Sequence, residues 1–591
     1  MIWRKLLSLM LSMALIISLN ASLCFADKNK ISDELLQYQG DDVVEAIIYL
    51  NDISNETAYE VLRQRYPEEY EQFKQFKESE ILTPVNMFDE EIIAAAANHK
   101  RDIYYELYGN QNSSFLLQYV TMESCMFLSH YSPMLIVKTT MNVILEMAKD
   151  SRVVWIERNV EEEHEDAGLA LANILSRAGT VRDTYGNSGT GVKIGMYEID
   201  GVPNTNDTLL SQATIYKRYG TEPTTTHATI VAKIMVASNS SVGNNGFAPN
   251  AKLYCCCGSS NVEFYGGIEW MIDSGVNIIN ASVDFGEDGT YGQKSKWVDH
   301  IAVKHDVHFV TTAGNTDNQQ YSAGITAPGM AYNAITVGAF DPGTATSWDQ
   351  VTSFALASFT RYQEGGTEYC EKPNIVADGM DFWGYNGTSY ASPQVAATIA
   401  QMCSYDLNLR YKQTSVGAML MAAAAHKVDS FGTGLTGDIY GPNVCVAGSN
   451  QISEYEGAGI LDSQWAREII SSGNYWSASV SENSFPYSVT TSITATQGKV
   501  VRVCLFWLRQ NSVSDHSSGG VTVGAMSNLD LYVYNQYGTL VASSSTIHSN
   551  FEIVQFVPTV SGTYTIQIQD SGGRTGSDYI GIAMWSGFLG T

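Results

Sequence analysis

Apolar and polar residues alternate along the chain in three successive patterns. Between about residues 27 and 159, strand-like runs such as Val43–Leu50 alternate with helical stretches such as Glu56–Lys77, whose many charges predict an exposed helix. Between about residues 183 and 466, turns lead repeatedly into short apolar strands that alternate with helices, which is typical of a parallel sheet with helices on both faces. Beyond Ser471, short alternating strands between turns rich in Asn, Ser and Gly predict an antiparallel sandwich.

The first pattern ends in a strand, a helix and a strand. Met134–Lys138 and Val153–Glu157 predict the strands, and Met141–Ala148 predicts the helix between them. The polar run Glu161–Asp166 that follows is typical of a turn and predicts a junction between domains. At 591 residues the chain is too long for one hydrophobic core, and it predicts roughly three or four domains.

The first residues have the layout of a secretory signal peptide. Arg4 and Lys5 precede the apolar run Leu6–Leu19, and Cys24 and Ala26 offer small residues at the −3 and −1 positions of a cleavage site. The apolar run is too short for a comfortable membrane span, and no later run predicts a membrane anchor. We therefore expect a signal peptide at residues 1–26 and an extracellular protein, either secreted or associated with the cell surface.

The composition argues against some partners and some kinds of site. The net charge of −28 argues against nucleic acid and against an anionic membrane as partners. Nine cysteines, one of them in the predicted signal peptide, have spacings that indicate neither a dense disulfide framework nor a paired Cys-x-x-Cys metal site. The sequence leaves metal ligands unassigned.

The stretch Asn386–Pro393 carries a candidate nucleophile. Its small residues let the backbone approach a substrate, and Ser389 stands at the start of an apolar-periodic run that predicts a buried helix. At a helix N-terminus, free backbone N–H groups and the positive end of the dipole favour the negative charge that grows on a carbonyl oxygen under attack. The alternative is an ordinary serine at a helix cap, so partners elsewhere in the chain must decide.

Three other segments carry reactive side chains. His227 opens an apolar-periodic run that predicts a helix, although a lone histidine is more often structural. A buried strand ends in Ala-Gly-Asn at Asn315, where an asparagine is otherwise a turn former. The turn Gly189–Gly191 leads into a strand that brings two carboxylates close together, Glu198 and Asp200.

In this order and at these separations, the segments resemble those of the subtilisin-like serine peptidases. The resemblance covers about Asp183–Ala466 and predicts the parallel-sheet fold of that family. It implies that Ser389 is the nucleophile, that His227 is its general base, and that Asn315 donates its side-chain amide to the oxyanion together with the Ser389 N–H. The implied activity is endopeptidase cleavage of proteins or peptides, for which the chemistry needs no cofactor.

The carboxylate of the triad has two candidates. An alignment without a gap puts Glu198 where the family has its aspartate, and Asp200 lies two residues further on. Neither reproduces the Asp-x-Gly pattern of the family. Side chains two apart on a strand share a face, so alternation does not choose between them, and the alignment favours Glu198.

The resemblance also implies a set of substrate-binding residues, which are Ser282, Asp284, Phe285, Gly314 and Thr326. Asp284 and Phe285 stand where the family usually has glycines, and Thr326 stands where a small residue often forms the floor of the primary pocket. We expect a narrowed pocket in which the Asp284 carboxylate favours a basic group.

The regions on either side of the peptidase segment complete the predicted domain organisation. Residues 27–165 resemble the small α+β pro-domain of the family, which assists folding and then blocks the active site as an intramolecular inhibitor; the alternative is an unrelated N-terminal domain. The peptidase domain is predicted at residues 166–471, and an antiparallel β-sandwich at residues 472–591 that resembles a jelly roll. There Asp530 is a candidate ligand for structural calcium, or else a turn carboxylate.

The predicted function is that of a secreted serine endopeptidase, made as a self-processed pro-enzyme. The chief alternative is a catalytically impaired pseudo-peptidase that acts as a surface-binding module. Two observations motivate it: the irregular carboxylate, and Ala228 and Ile230 in place of the glycine and second histidine of the family's histidine motif. A processing enzyme dedicated to one partner would share the same chemistry.

Overall fold

The computed structural model describes most of the chain. The described residues are 30–33, 35–77, 89–158, 170–238, 245–286, 289–316, 322–348, 355–357, 360–362, 370–424, 456–480, 488–509, 527–546, 549–572 and 578–587. The predicted signal peptide, residues 1–26, and the predicted junction Glu161–Asp166 lie outside these ranges. Of the helices within them, none is both long enough and apolar enough to cross a membrane.

The described helices, in chain order, are α1 (Asn55–Arg65), α2 (Pro67–Lys77), α3 (Glu90–Tyr119), α4 (Met141–Met147), α5 (Ala170–Leu175), α6 (Ala178–Asp183), α7 (Thr226–Val236), α8 (Asn261–Asp273), α9 (Gln293–His305), α10 (Thr388–Tyr405), α11 (Gln413–Ala423) and α12 (Ser463–Ser472). The strands are β1 (Val43–Leu50), β2 (Cys125–Leu128), β3 (Met134–Thr140), β4 (Val153–Arg158), β5 (Lys193–Glu198), β6 (Thr214–Lys217), β7 (Lys252–Cys257), β8 (Ile278–Ala281), β9 (His308–Thr312), β10 (Ser322–Ala323), β11 (Ala334–Asp341), β12 (Ala355–Leu356), β13 (Arg361–Tyr362), β14 (Ile375–Asp378), β15 (Tyr475–Val480), β16 (Ser488–Ala495), β17 (Val500–Trp507), β18 (Asn528–Tyr534), β19 (Leu540–Ser544), β20 (Phe551–Phe556), β21 (Gly562–Gly572) and β22 (Asp578–Gly587).

The described residues form two compact units. The first contains residues 30–54 and 104–158, and the second contains residues 55–103 together with the described residues from 170 onward. The predicted domain boundaries at residues 26, 165 and 471 stay predictions.

The first unit is built on a four-stranded antiparallel sheet in the order β2-β3-β1-β4. Strand β1 pairs with β3 with Ile47 opposite Ile136. Alternate residues of β1, Ala46 and Ile48 among them, enter a core that they share with Ile144 of α4. The strand-helix-strand pattern predicted for the end of this region is therefore present, because period-two and helical apolar patterns meet on one buried face.

The predicted exposed helix Glu56–Lys77 is two helices, α1 and α2. Pro67 separates them, because it lacks an N–H and disfavours the helical conformation of the residue before it, yet suits the first position of a new helix. The second helix is not wholly exposed, since Phe73 and Phe76 are fully buried.

The second unit contains an eight-stranded sheet in the order β12-β11-β9-β8-β5-β7-β6, with β14 also paired to β11. All pairings but that of β12 with β11 are parallel. Strand β5 lies inside the sheet, with Ile194 opposite Ile278 of β8 and Leu253 of β7. This is the predicted α/β architecture, and ligand sites in such sheets form outside the carboxyl ends of the strands.

Helix α10 is buried along nearly its whole length, from Thr388 to Cys403. Apart from Gln394 and Gln401, whose amides donate to backbone carbonyls, its buried residues are mostly small or apolar, which is the pattern of a helix enclosed by protein. Its N-terminus lies next to the carboxyl end of β9, because the Thr388 N–H donates to Asn315 Oδ1 at 2.9 Å.

A cluster of buried charges lies at the amino end of β9. Asp306 forms ion pairs with Lys77 and with Lys100 Nζ, the latter at 2.7 Å. Lys412 Nζ donates to the carbonyl of Phe76 and, at 3.1 Å, to Ser477 Oγ. Residues of α2 and α3 are thus bound by charge to the segment before β9.

The last region forms two four-stranded antiparallel sheets, β15-β22-β17-β20 and β16-β21-β18-β19. Alternate residues of β17, such as Val503 and Leu505, share one core with Leu531 of β18 and Ile566 of β21. The two sheets therefore face each other as a sandwich, as the alternating pattern predicts. Gly581 of β22 packs against α11, where an added Cβ would lie 2.2 Å from the Thr414 backbone.

Candidate active site

Glu198 and His227 are in direct contact. Glu198 is the last residue of β5 and only 2% exposed, and its Oε2 accepts a hydrogen bond from His227 Nδ1. Strand β5 ends there, and Asp200 is exposed beyond it. Of the two carboxylates that the sequence leaves open, the structure brings Glu198 to the histidine.

His227 is held at the start of α7. The N-cap residue Thr225 accepts a hydrogen bond from the backbone N–H of Ala228 through its side chain at 3.2 Å, which satisfies one of the free donors of the first turn. The imidazole ring lies 5.6 Å from the ring of Tyr390, measured between centroids. Because Tyr390 follows Ser389, the first turns of α7 and α10 meet at this point.

Ser389 lies in the first turn of α10 and is 4% exposed. Pro393, four residues later, has no N–H to donate to the Ser389 carbonyl, so the usual helical hydrogen bond cannot form. The hydroxyl of Ser282 donates to that oxygen instead, at 2.9 Å. Ser282, expected to bind substrate, therefore also anchors the backbone of the candidate nucleophile.

A buried polar network continues from Ser282. Asn280 Nδ2 donates to Ser282 Oγ at 2.9 Å, and Asn280 Oδ1 accepts from Ser392 Oγ at 2.6 Å. Asn280 and Ser392 were missed by the sequence reasoning. The sequence feature that could have identified them is a polar side chain within an apolar segment, because a polar residue within a buried strand or helix needs a hydrogen-bond partner.

The side-chain amide of Asn315 has a defined orientation. Its Oδ1 accepts from the Thr388 N–H at 2.9 Å and from Thr388 Oγ1 at 3.0 Å. Both partners act as donors to the oxygen, so the amide nitrogen is turned away from Thr388 as a donor. A Cβ atom on Gly387 would lie 3.6 Å from that nitrogen, which places the N–H₂ group at the mouth of α10.

The other predicted substrate-binding residues divide into two groups. Gly314 has a φ of 90°, and a Cβ atom there would lie 2.7 Å from the side chain of Thr326, so these two residues adjoin. Asp284 Oδ1 accepts from the Gly286 N–H at 2.8 Å and closes a local turn. Phe285 is buried with its ring edge-on to Phe264, 5.0 Å between centroids.

A carboxyl group with a shifted pKa lies behind α10. Asp378 ends β14 and is buried, and that burial raises its pKa to about 8. Its carbonyl accepts from Gln394 Nε2 at 2.5 Å, and the same amide donates to the Tyr390 carbonyl at 2.8 Å. Gln394 thus ties the first turns of α10 to the sheet.

Metal ligands were left unassigned by the sequence. Within the described residues, no group of three or more His, Cys, Asp or Glu side chains is placed to hold a metal ion. Asp530, the candidate calcium ligand, is buried and accepts hydrogen bonds from Tyr532 OH at 2.9 Å and from Ser571 Oγ at 2.5 Å.

Comparison with known proteins identifies the family of this chain. A model of the subtilase family, Peptidase_S8, matches residues 156–459, which is more than half of the chain. The chain belongs to the subtilase family. This subtilase is accordingly a serine-type endopeptidase whose substrates are proteins or peptides, as the sequence predicts.

Curated relatives include several bacterial subtilisins. The chain is 27% identical over 280 residues to subtilisin amylosacchariticus from Bacillus subtilis subsp. amylosacchariticus and to subtilisin E from Bacillus subtilis strain 168. Each match covers 44% of this chain and 68% of the relative. A subtilisin from Bacillus pumilus is 30% identical over 193 residues, covering 30% of this chain and 63% of the relative.

Solved structures that match include two maturation proteases. The prenylagaramide maturation protease PagA is 19% identical, with a TM-score of 0.36, and the match covers 49% of this chain and 98% of that one. The self-cleaved protease domain of PatA is also 19% identical, with a TM-score of 0.35, covering 48% of this chain and 98% of that one.

Proposed function

We propose that this subtilase is a secreted endopeptidase that works through a triad of Ser389, His227 and Glu198. The observation that carries the proposal is the hydrogen bond between His227 Nδ1 and the buried Glu198 carboxylate. His227 also lies beside the first turn of the serine-bearing helix α10, 5.6 Å from the Tyr390 ring between centroids, and a histidine oriented by a carboxylate next to a serine has the arrangement of a general base.

The proposed reaction begins with attack of Ser389 Oγ on the peptide carbonyl. Because Nδ1 donates to Glu198, the imidazole presents Nε2 as the acceptor that takes the hydroxyl proton. Glu198 then stabilises the imidazolium, while the Asn315 amide and the Ser389 N–H donate to the oxyanion. His227 returns the proton to the leaving amine. It then takes a proton from a water molecule that attacks the acyl-enzyme and gives this proton to Ser389 Oγ as the acyl group leaves as a carboxylic acid.

The competing hypothesis, a catalytically impaired pseudo-peptidase that acts as a surface-binding module, is motivated by the irregular carboxylate and by Ala228 and Ile230 in the histidine motif. The contact between Glu198 and His227 supports the enzyme, because the glutamate reaches the position that the reaction requires. Labelling with a fluorophosphonate probe tests the choice, since only an activated serine reacts fast. We expect rapid labelling of the wild type, none of Ser389→Ala and strongly slowed labelling of Glu198→Gln. Equal, slow labelling of wild type and Glu198→Gln would favour the pseudo-peptidase.

We further propose that the protein is exported and matures by cutting itself. The signal-like N-terminus and the family's use of an inhibitory pro-domain support this, with residues 27–165 as the pro-domain and a mature chain starting between about Glu157 and Asn173. Purified Ser389→Ala should then keep its full pro-region, whereas the wild type should show the shorter species on a denaturing gel. Normal maturation of the variant, without added protease, would refute self-processing.

Structural calcium in the β-sandwich remains a prediction, and the proposed chemistry needs no cofactor.

A further inference from the structure

Arg361 stands beside the candidate primary pocket. Its Nε donates to the carbonyl of Asn315 at 2.8 Å, and its Nη1 donates to the carbonyl of Gly324 at 3.2 Å. Its Cδ would lie 3.1 Å from a Cβ atom on Gly314. The side chain is therefore fixed against the residue that precedes the candidate oxyanion donor.

Thr326 meets the same face of Gly314. Its Oγ1 would lie 2.7 Å from a Cβ atom on Gly314, and the residue is only 1% exposed. Within the described part of the chain this buried hydroxyl has no hydrogen-bond partner. A buried hydroxyl without a partner costs free energy, so a polar group from outside the protein would be stabilised there.

Arg361 and Thr326 both lie where the substrate side chain next to the cleaved bond is expected. In the proposed reaction the attacked carbonyl lies at the Asn315 amide. The side chain of the substrate residue that carries this carbonyl begins at the next backbone atom of the substrate, so we place it beside Gly314, the protein residue before Asn315. The side chains of Thr326 and Arg361 pack directly against Gly314, so a hydroxyl and a guanidinium lie beside this stretch of backbone. Both groups can donate to a carboxylate, and guanidinium groups suit carboxylates in charge and in planar geometry.

We propose that the primary pocket selects an acidic side chain, glutamate or aspartate, and that Arg361 is the residue that determines this specificity. Thr326 supplies a second hydrogen bond to the same carboxylate. The inference rests on the proposed function, because the pocket has this meaning only if Ser389 attacks the peptide.

An acidic preference is the opposite of the basic preference expected from Asp284 alone. Asp284 Oδ1 closes its own turn by accepting the Gly286 N–H, whereas Arg361 donates to the backbone carbonyls of Asn315 and Gly324. A charge held by fixed contacts at the pocket discriminates more strongly between ligands than one that serves a local turn.

The test is a profile of kcat/KM for matched peptides that differ only in the residue before the cleaved bond. Active enzyme is first counted with a fluorophosphonate label, so that activity and specificity are measured separately. We expect the glutamate peptide to exceed the glutamine peptide by about 100-fold, and the lysine peptide by more. In Arg361→Gln the ratio of glutamate to glutamine should fall to near 1, and Arg361→Lys should restore part of it.

Two further variants separate specificity from folding. Arg410→Gln is the matched control, because Arg410 Nε also donates to a backbone carbonyl, that of Leu407, at 2.8 Å. Arg410→Gln should leave the glutamate preference as in the wild type. Thr326→Val keeps the side-chain volume but removes the hydroxyl, and it should lower the preference about 10-fold with no loss of thermal stability.

The outcomes distinguish this inference from the proposed function. A protein that neither labels nor cleaves any peptide would overturn both. A protein that labels rapidly but prefers basic or aromatic residues, with the profile unchanged in Arg361→Gln, would overturn the acidic pocket alone. A preference for lysine that is lost in Asp284→Asn would instead assign the pocket's charge to Asp284.

Discussion

Glu198 and Asp200 lie two residues apart but in opposite environments. Glu198 ends a strand inside the sheet and is buried, whereas Asp200 is exposed. A glutamate carries one methylene more than an aspartate, and its carboxylate accepts the imidazole N–H equally well. In the proposed triad, the longer glutamate side chain reaches His227 from the last residue of the strand and orients its imidazole.

Replacing Glu198 should be far more costly than replacing Asp200. We expect Glu198→Gln to lower kcat by about 10⁴-fold, a magnitude measured for the triad aspartate in serine proteases, because the amide no longer fixes the imidazole tautomer. Asp200→Asn should stay within about 3-fold of wild type. Both are measured with the pro-domain supplied in trans, so that folding is not confounded. Collapse of Asp200→Asn with near-normal Glu198→Gln would reverse the assignment.

Asn315 offers a second test at the level of a single residue. Asn315→Ala removes the proposed oxyanion donor and should lower kcat by about 100- to 1,000-fold, a magnitude measured in subtilisin, a relative of this chain. KM should change little, because the lost bond is stronger in the transition state than in the ground state. A variant that raises KM at unchanged kcat would mean that Asn315 binds substrate and does not stabilise the oxyanion.

The sequence led to some site residues and not to others. Glu198 was favoured over Asp200 by an ungapped alignment of its turn and strand with the family, since side-chain alternation along the strand does not choose between the two carboxylates. Asn280 and Ser392 are 112 residues apart, and their hydrogen bond arises only when β8 and α10 come together. Arg361 belongs to a two-residue strand without a motif, so only its contacts show what it lies beside.

At the level of elements, the start of α10 depends on a bond from outside the helix. Pro393 removes the helical donor to the Ser389 carbonyl, and the Ser282 hydroxyl replaces it. The effects of substituting Ser282 and Pro393 on the free energy of unfolding should therefore depend on each other, because Ser282 supplies the donor that Pro393 lacks.

A double-mutant cycle tests this coupling. Ser282→Ala should destabilise the protein by about 1–3 kcal/mol, because it leaves a buried carbonyl without that donor. Pro393→Ala supplies an N–H to the same oxygen, so in the double variant much of the loss should be recovered. Thermal unfolding, measured in the Ser389→Ala background to prevent self-digestion, provides the four values. Strict additivity of the two substitutions would show that the carbonyl has no need of Ser282.

The N-terminal helices show a limit of reading periodicity. The stretch Glu56–Lys77 has the composition of one exposed helix, yet Pro67 divides it and α2 buries two phenylalanines. Hydropathy averaged along a charged segment hides a narrow apolar face. The parallel sheet was easier to predict, because each strand is an uninterrupted apolar run between turns.

At the level of the whole molecule, buried charges join distant parts of the chain. Asp306 pairs with Lys77 and Lys100, which lie more than 200 residues earlier in the sequence. Burial lowers the pKa of Lys100 to about 8, although the Asp306 carboxylate opposes that shift. Burying these charges costs free energy, and this cost is offset only while the carboxylate and the ammonium groups are present together.

Removing the shared carboxylate should destabilise this packing strongly. We expect Asp306→Asn to cost about 3–5 kcal/mol at pH 7, because two buried ammonium groups lose their partner. Glu45→Gln is the matched control, since its pair with Lys138 is exposed and is expected to contribute less than about 1 kcal/mol. Denaturant unfolding in the Ser389→Ala background measures both. Equal effects of the two substitutions would show that burial adds nothing to the Asp306 cluster.

Several buried carboxyl groups have pKa values above their ordinary range. Burial raises the pKa of Asp299 to about 6, and it raises the pKa values of Asp378 and Glu552 to about 8. Each group binds a proton more tightly in the folded state than in the unfolded state. Together these groups make the free energy of unfolding fall as the pH rises.

Glu552 allows this effect to be measured away from the active site, within the β-sandwich. Below about pH 4.5 the carboxyl is protonated in both states and adds no pH dependence. Between about pH 4.5 and pH 8 the unfolded chain releases the proton while the folded chain keeps it, so the free energy of unfolding should fall by up to about 4 kcal/mol.

Glu552→Gln, whose neutral amide can still accept from the Thr546 N–H, should remove that part of the slope. The exposed Glu123→Gln is the control and should follow the wild-type curve. Unfolding is measured from pH 4.5 to 8 in the Ser389→Ala background, and parallel curves for wild type and Glu552→Gln would show that Glu552 is ionised in the folded protein.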